Sequence, residues 1–219
     1  MKKKIRYSVI RIDEEEDLEI LFVRHGESEA NVLNLFYGAS DFKLTHIGKK
    51  QAGKAGAIVR KMNFVPDKIY VSSLVRTHET LEHMGFCLDE AEQDARLNER
   101  DLGEFEGLNH QELVMKNPTL FEDWRKDWLD YRPGGGESFL DFRGRISSFM
   151  EELKYLYTGG EKLLVVCHGG TMKTIISYVF GHETDTFMNV EIHNCSLLRV
   201  NQNNDVFFFD ALYNIEDFS

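Results

Sequence analysis

The 219-residue chain has little proline, little cysteine and no long apolar run. Its three prolines stand at 66, 118 and 133, and neither a low-complexity linker nor an internal repeat divides it, so one domain over 1–219 is expected. Cys87, Cys167 and Cys195 are odd in number and form no Cys-x-x-Cys pair. That excludes a disulfide framework or a cysteine zinc knuckle and points to a reducing, cytoplasmic setting. No stretch approaches the roughly 18 apolar residues that a membrane-spanning helix needs. Met1-Lys2-Lys3-Lys4 imitates the start of an export signal, but Arg6, Arg11 and the acidic run from Asp13 to Asp17 break the apolar residues behind it, so no export is expected. Basic residues are also in deficit, with 26 Lys and Arg against 37 Asp and Glu and a net charge of −11. Such a body repels nucleic acid and anionic lipid, while a local basic pocket for a small anion remains open to it.

An apolar content of 42% and a charged content of 29% fit a folded soluble protein. Residues 5–12 alternate and are β-branched, and with the acidic turn 13–17 and the apolar run 18–23 they predict an added N-terminal hairpin or edge strand, residues 1–17 forming an extension. Strands are expected at 18–23, 68–71, 162–167, 196–200 and 206–213. Helices are expected at 45–62 behind Thr45 as N-cap, near 74–85, over 109–131 with a break at Asn117-Pro118, over 137–157 and near 170–180. This alternation predicts a three-layer α/β/α sandwich with a mainly parallel central sheet.

In such sheets ligands bind beyond the carboxyl ends of the strands. The first strand is followed by Arg24-His25-Gly26-Glu27-Ser28, the second by Ser72-Ser73-Leu74-Val75-Arg76-Thr77, and the third by His168-Gly169-Gly170-Thr171. Either histidine alone reads as an ordinary hydrogen-bonded residue. Two histidines that each end an apolar run and precede glycine, with a serine-flanked arginine and a carboxylate before a glycine, are hard to obtain from packing alone. Glycine at such a turn lets backbone N–H groups approach an anion.

With these segments, together with Leu97 to Gly107 (Leu-Asn-Glu-Arg-Asp-Leu-Gly-Glu-Phe-Glu-Gly) and Pro133 to Ser138, the chain resembles the histidine phosphatase superfamily, which includes cofactor-dependent phosphoglycerate mutases and many small phosphatases. The resemblance runs from about 18 to about 200. It implies that His25 attacks phosphorus as neutral imidazole and becomes a phosphohistidine, which water then hydrolyses. Arg24 and Arg76 grip the phosphoryl oxygens, each charge pair being worth roughly 4 kcal/mol at 4 Å and an effective dielectric near 20, before desolvation. His168 donates a hydrogen bond to the transferring group, and Glu99 protonates the leaving alkoxide and later deprotonates water. Asn31, Ser28, Gly38, the N–H of Gly169 and Arg100 complete the expected substrate contacts. No metal is needed, and His46, His78, His83, His110, His182 and His193 show no metal-ligand spacing.

A small-molecule phosphate monoester is the expected partner, with no nucleic acid and no membrane, and a homodimer is left open. Asp101 stands where mutases resembling this chain carry histidine, and the span from Glu99 to His168 is short, both as in the phosphatase branch. Arg100, beside the acid, and the basic pair in Trp124-Arg125-Lys126 keep a mutase open, the one case in which 2,3-bisphosphoglycerate would serve as cofactor. A catalytically silent binding or regulatory domain is the third possibility. Phe36, Tyr37, Phe105, Phe121, Trp124, Trp128 and Tyr131 gather in or near a cap expected at about 104–140, where they either close the cap's own small core or form an apolar lid.

Overall fold

The apolar runs at 18–23, 68–71 and 162–167 become parallel neighbours in one sheet. In the computed structural model, which describes residues 18–116, 118–157, 159–181, 184–203 and 205–218, the strands are β1 Leu18–Arg24, β2 Lys68–Val71, β3 Ala91–Gln93, β4 Lys162–Cys167, β5 Leu197–Asn203 and β6 Val206–Tyr213. Their order is β3-β2-β4-β1-β5-β6. The pairs β3-β2, β2-β4 and β4-β1 are parallel, and β1-β5 and β5-β6 are antiparallel. The helices are α1 Glu29–Val32, α2 His46–Lys61, α3 Val75–Met84, α4 His110–Lys116, α5 Pro118–Lys126, α6 Phe139–Leu156, α7 Gly169–Val179 and α8 Thr184–Asn189.

The central strands are buried on both faces, which is why they read as continuous apolar runs. Alternate residues serve opposite cores. Ile20, Phe22, Leu163 and Val165 pack with Phe142, Ile146 and Phe149 of α6 and Met172 and Ile175 of α7. Leu21, Val23, Leu164 and Val166 pack with Ala55 and Val59 of α2 and Leu81 and Met84 of α3. The expected three layers are therefore present, with one α-helix pair on each side of the sheet.

Local chemistry sets the helix ends. Thr45 Oγ1 accepts from the Gly48 N–H at 3.0 Å and starts α2 as expected. Ser138 and Asp141 form a capping box that starts α6. Pro118 opens α5, where its missing N–H costs nothing, and α5 ends at Lys126, short of the expected 131. The expected strand at 5–12 lies outside the described residues. β1, with which a hairpin would pair it, has β4 along one edge and β5 along the other. Among the described residues no helix is long and apolar enough to cross a membrane.

The adjacency of β1 and β4 is what builds the site. Arg24 lies opposite Cys167 in the parallel register, and the His25 N–H donates to the Cys167 carbonyl at 3.0 Å. Neighbouring strands run about 4.8 Å apart, so the two strand-end histidines must emerge side by side.

Candidate active site

His25 and His168 stand with ring centroids 5.3 Å apart and planes 61° apart, edge to face. His25 Nδ1 lies 2.7 Å from the Gly26 carbonyl oxygen. A carbonyl only accepts, so Nδ1 carries the proton and Nε2 keeps its lone pair. Burial, then the charges of Arg76 and Arg24, hold the His25 pKa well below the ordinary histidine value, against the opposing pull of the Gly26 carbonyl. The imidazole is therefore neutral at physiological pH and has its lone pair on the ring nitrogen away from the backbone.

Arg24 donates through Nη1 to the Ile192 carbonyl at 2.5 Å, and its buried Nε–H has no partner among the described residues. A buried guanidinium N–H left unspent is costly unless something accepts from it. Arg24, His25, Asn31, Glu99, Arg100 and Gly169 all line one cavity of about 690 Å³. Asn31 Oδ1 takes the Ser28 N–H, the Ser28 hydroxyl and Asn194 Nδ2, so its own amide N–H groups are what it can offer a ligand.

Arg76 and His168 lie beneath this wall, each 0% exposed. Arg76 Nε donates to His168 Nδ1 at 3.1 Å, Nη1 to the Ser40 carbonyl at 2.9 Å and Nη2 to the Gly38 carbonyl at 2.7 Å. The Tyr37 ring covers the guanidinium at 4.9 Å. Since a guanidinium only donates, His168 Nδ1 accepts, and His168 Nε2–H donates to Ser72 Oγ at 2.7 Å. Burial, then Arg76, His25 and nearby arginines, lower the His168 pKa well below its ordinary value.

Glu99 faces the same cavity from the other side. Its Oε1 accepts the Arg100 N–H at 3.0 Å and its Oε2 the Gly170 N–H at 2.8 Å, at the N-terminus of α7. A Cβ on Gly170 would stand 2.3 Å from Glu99 Oε1, so a side chain here would push the carboxylate out of this position. No salt bridge joins Glu99 to Arg96, which pairs instead with Asp94 and Glu152.

Arg76 and His168, expected against the phosphoryl group, thus lie off the wall and engage each other, and two further expected contacts sit elsewhere. The Ser28 hydroxyl is spent within the cap of α1, donating to Asn31 Oδ1 and accepting from the Asn31 N–H, off the cavity wall. Gly38 is buried, with its carbonyl on Arg76 and its N–H on Glu106. Both support the wall without forming it. Arg100 lines the cavity, but its guanidinium also donates to the carbonyls of Glu137 and Tyr131, tying the acid's loop to the cap region. Of the basic pair after Trp124, Arg125 lines the cavity and also reaches Glu122, whereas Lys126, off the wall, reaches Asp123 on the same helix.

Sequence reasoning missed Lys173 and Arg145. Lys173 lines the cavity one turn beyond Gly169, and burial and then Arg24 lower its pKa. The i, i+4 spacing from Gly169 could have found it. Arg145 of α6 donates to the carbonyls of Arg96, Asn98 and Glu99 and pairs with Glu137, fixing the backbone that carries the acid. The cap aromatics do both things expected of them. Phe105, fully buried, packs with Phe36, Trp124 and Tyr131. Trp124, Trp128 and Tyr37 also face the cavity, with Phe187 and Ile192. Among the described residues no three His, Cys, Asp or Glu side chains converge as a metal-ligand group would.

The family model of the histidine phosphatase superfamily (branch 1) matches residues 20–215. The chain is 36% identical over 163 residues to a 2,3-bisphosphoglycerate-dependent phosphoglycerate mutase of Nitrobacter winogradskyi, covering 72% of this chain and 78% of that one. It is 36% identical over 166 residues to the corresponding mutase of Azorhizobium caulinodans, covering 73% and 80%. Among solved structures it is similar to the alpha-ribazole phosphatase from Shigella flexneri, with a TM-score of 0.81 at 23% identity, over 90% of this chain and 97% of that one; at that identity the likeness speaks to the fold alone. It is also similar to a mycobacterial glucosyl-3-phosphoglycerate phosphatase solved with VO3, with a TM-score of 0.74 at 25% identity, over 88% and 97%.

Proposed function

Because the chain belongs to the histidine phosphatase superfamily (branch 1), we propose that it hydrolyses phosphate monoesters through a phosphohistidine on His25. The observation that carries this reading is the Nδ1 hydrogen bond of His25 to Gly26, which leaves a neutral imidazole with its Nε2 lone pair on the wall of a cavity that also holds the unspent N–H of Arg24 and the carboxyl of Glu99.

In the first step Nε2 bonds to phosphorus, the P–O ester bond breaks, and the alkoxide takes a proton carried on Glu99. In the second, water bonds to phosphorus, gives its proton to the Glu99 carboxylate, and the P–N bond breaks. Inorganic phosphate leaves and His25 is neutral again. Arg24 and the N–H of Gly169 meet the oxyanion at the wall. Arg76 acts from beneath, opposing protonation of His25 and orienting His168. His168, with Nδ1 accepting from Arg76 and Nε2–H donating to Ser72, acts from beneath as well, as a neutral ring fixed against the edge of His25. The apolar wall around Trp124, Trp128 and Phe187 favours an ester with a planar or apolar alcohol, and Lys173 adds a cation beside it.

A phosphate-ester panel that includes p-nitrophenyl phosphate, run beside 3-phosphoglycerate with 2,3-bisphosphoglycerate, tests the reading. Release of inorganic phosphate is expected. Rapid interconversion of phosphoglycerates with negligible phosphate release overturns hydrolysis in favour of the mutase reading. That second reading is supported by the 36% identity to mutases. It is supported too by Arg125, which lines the same cavity as His25 and Glu99; against it stands Asp101, which the resemblance sets on the phosphatase side.

Glu99→Gln separates the acid's work from the nucleophile's. It removes the transferable proton and keeps the shape. Hydrolysis of an alkyl phosphate is expected to fall about 10²–10⁴-fold. The first step on p-nitrophenyl phosphate, whose leaving group departs without a proton, falls much less. Equal losses in the burst phase for both esters would remove Glu99 from leaving-group protonation.

A further inference from the structure

Glu106 belongs to the Glu99–Gly107 segment, yet neither step above uses it. It is half-buried, and its carboxylate gathers backbone donors from two separate loops. Oε1 accepts the N–H of Gly38 at 3.1 Å, of Ala39 at 2.8 Å and of Leu102 at 3.0 Å, and Oε2 accepts the N–H of Ser40 at 2.6 Å. The strap it fastens is the one whose carbonyls, Gly38 and Ser40, hold the terminal nitrogens of Arg76. Tyr37, stacked on that guanidinium, is the next residue along the strap. Leu102 lies on the loop that carries Glu99 and Arg100.

We propose that Glu106 is a positioning residue for the phosphoryl site: by binding successive N–H groups of the 38–40 strap it aims two carbonyls at Arg76, and through Leu102 it locks that strap to the loop of the general acid. Arg76 is fully buried, and three of its five N–H groups are spent on Gly38, Ser40 and His168, so its direction is set by these acceptors. Three consecutive N–H groups converging on one carboxylate need a negative acceptor with several lone pairs. Of the neutral side chains that fit, Gln offers one oxygen and turns an NH2 toward the remaining donors. Burial pushes the Glu106 carboxyl up, but the hydrogen bonds from Ser40, Leu102 and Ala39 outweigh it and hold the group below the ordinary carboxylate range, so it stays charged in the folded chain. A Cβ on Gly38 would stand 1.6 Å from the Arg100 carbonyl oxygen, so the two loops meet here with no space for a side chain.

This inference rests on the reading of the cavity as an oxyanion site, and a double-mutant cycle between Glu106→Gln and Arg76→Lys tests it in the full chain. The readout is the dissociation constant of inorganic phosphate by calorimetry, which needs an anion site but no turnover. In the wild-type background E106Q is expected to weaken phosphate binding about tenfold or more, and in the R76K background less than about twofold, because the aim of the guanidinium is already lost. Equal losses in both backgrounds mean that Glu106 serves general packing, and overturn the proposal. Unchanged binding in E106Q does the same. Should E106Q fail to fold, Glu106→Asp, which keeps the charge on a shorter stem, carries the same cycle with the same two readings. A wild-type chain that binds phosphate but releases none from any ester sinks the hydrolytic reading and leaves this inference standing, whereas one that binds no phosphate sinks the oxyanion site itself.

Discussion

Replacing His25 by Ala is expected to reduce ester hydrolysis by about 10⁴-fold or more and to abolish any acid-labile ³²P label on the protein. The size follows from losing the nucleophile outright, with only oxyanion binding left to accelerate attack by water. The wild-type pH profile carries the same assignment. A histidine whose folded pKa is lowered stays neutral until the pH falls through that lowered value. Loss of nucleophile should therefore appear in kcat/KM only well below pH 6.5, and no decline should begin at the ordinary histidine pKa. An acid limb centred near 6.5 would contradict the buried, arginine-flanked imidazole. Full activity in the Ala variant would place the nucleophile elsewhere, and a wild type silent on every ester would favour a binding domain.

Arg76→Met is expected to cost about 10³-fold or more in kcat/KM while lowering stability far less. The catalytic loss reflects removal of a fixed positive charge just beneath the oxyanion site, one that also opposes protonation of His25, on the scale of losing one preorganised electrostatic group, together with the loss of the N–H that orients His168. On stability the effects oppose one another. The Gly38 and Ser40 carbonyls and His168 Nδ1 lose their donor, at roughly 1–3 kcal/mol for each acceptor left unpaired. A buried charge is also no longer desolvated, which offsets much of that sum. Urea unfolding should show a moderately lowered midpoint with an unchanged slope, and added phosphate should stabilise the wild type but hardly the variant. A variant that keeps its turnover would show that the buried guanidinium is structural only.

The parts of the fold carried by side-chain pattern were readable in advance. β1 and β4 are continuous apolar runs because both faces are covered, and α2 announced itself through Thr45 and α6 through its apolar stripe. β3 was not readable. Its Ala-Glu-Gln is held by backbone pairing to β2, and an edge strand of three residues has no pattern to display. The four-residue α1 escaped for a similar reason, although its Ser28 cap was in plain sight. In the site, His25, His168, Arg24 and Arg76 are legible because each stands in a segment that follows a strand end, and Glu99 is legible only through the family resemblance of its segment. The division of labour could not be read. That Ser28 caps a helix, that Gly38 holds Arg76, and that Arg76 lies beneath the wall are consequences of loop paths, which depend on hydrogen bonds between segments far apart in sequence. Lys173 and Arg145 lie within helices, and what each reaches is set by how α7 and α6 pack against the sheet and the loop of Glu99.

The hydrogen bond from His25 Nδ1 to the Gly26 carbonyl also fixes regiochemistry. One ring nitrogen is committed to the backbone, so on the proposed mechanism a phosphoryl group would bond to the other, and the covalent species would be the tele isomer of phosphohistidine. The pros isomer would require the loop after β1 to give up its own carbonyl contact first, so the turn at Gly26 acts as a positional filter on the adduct before any substrate arrives.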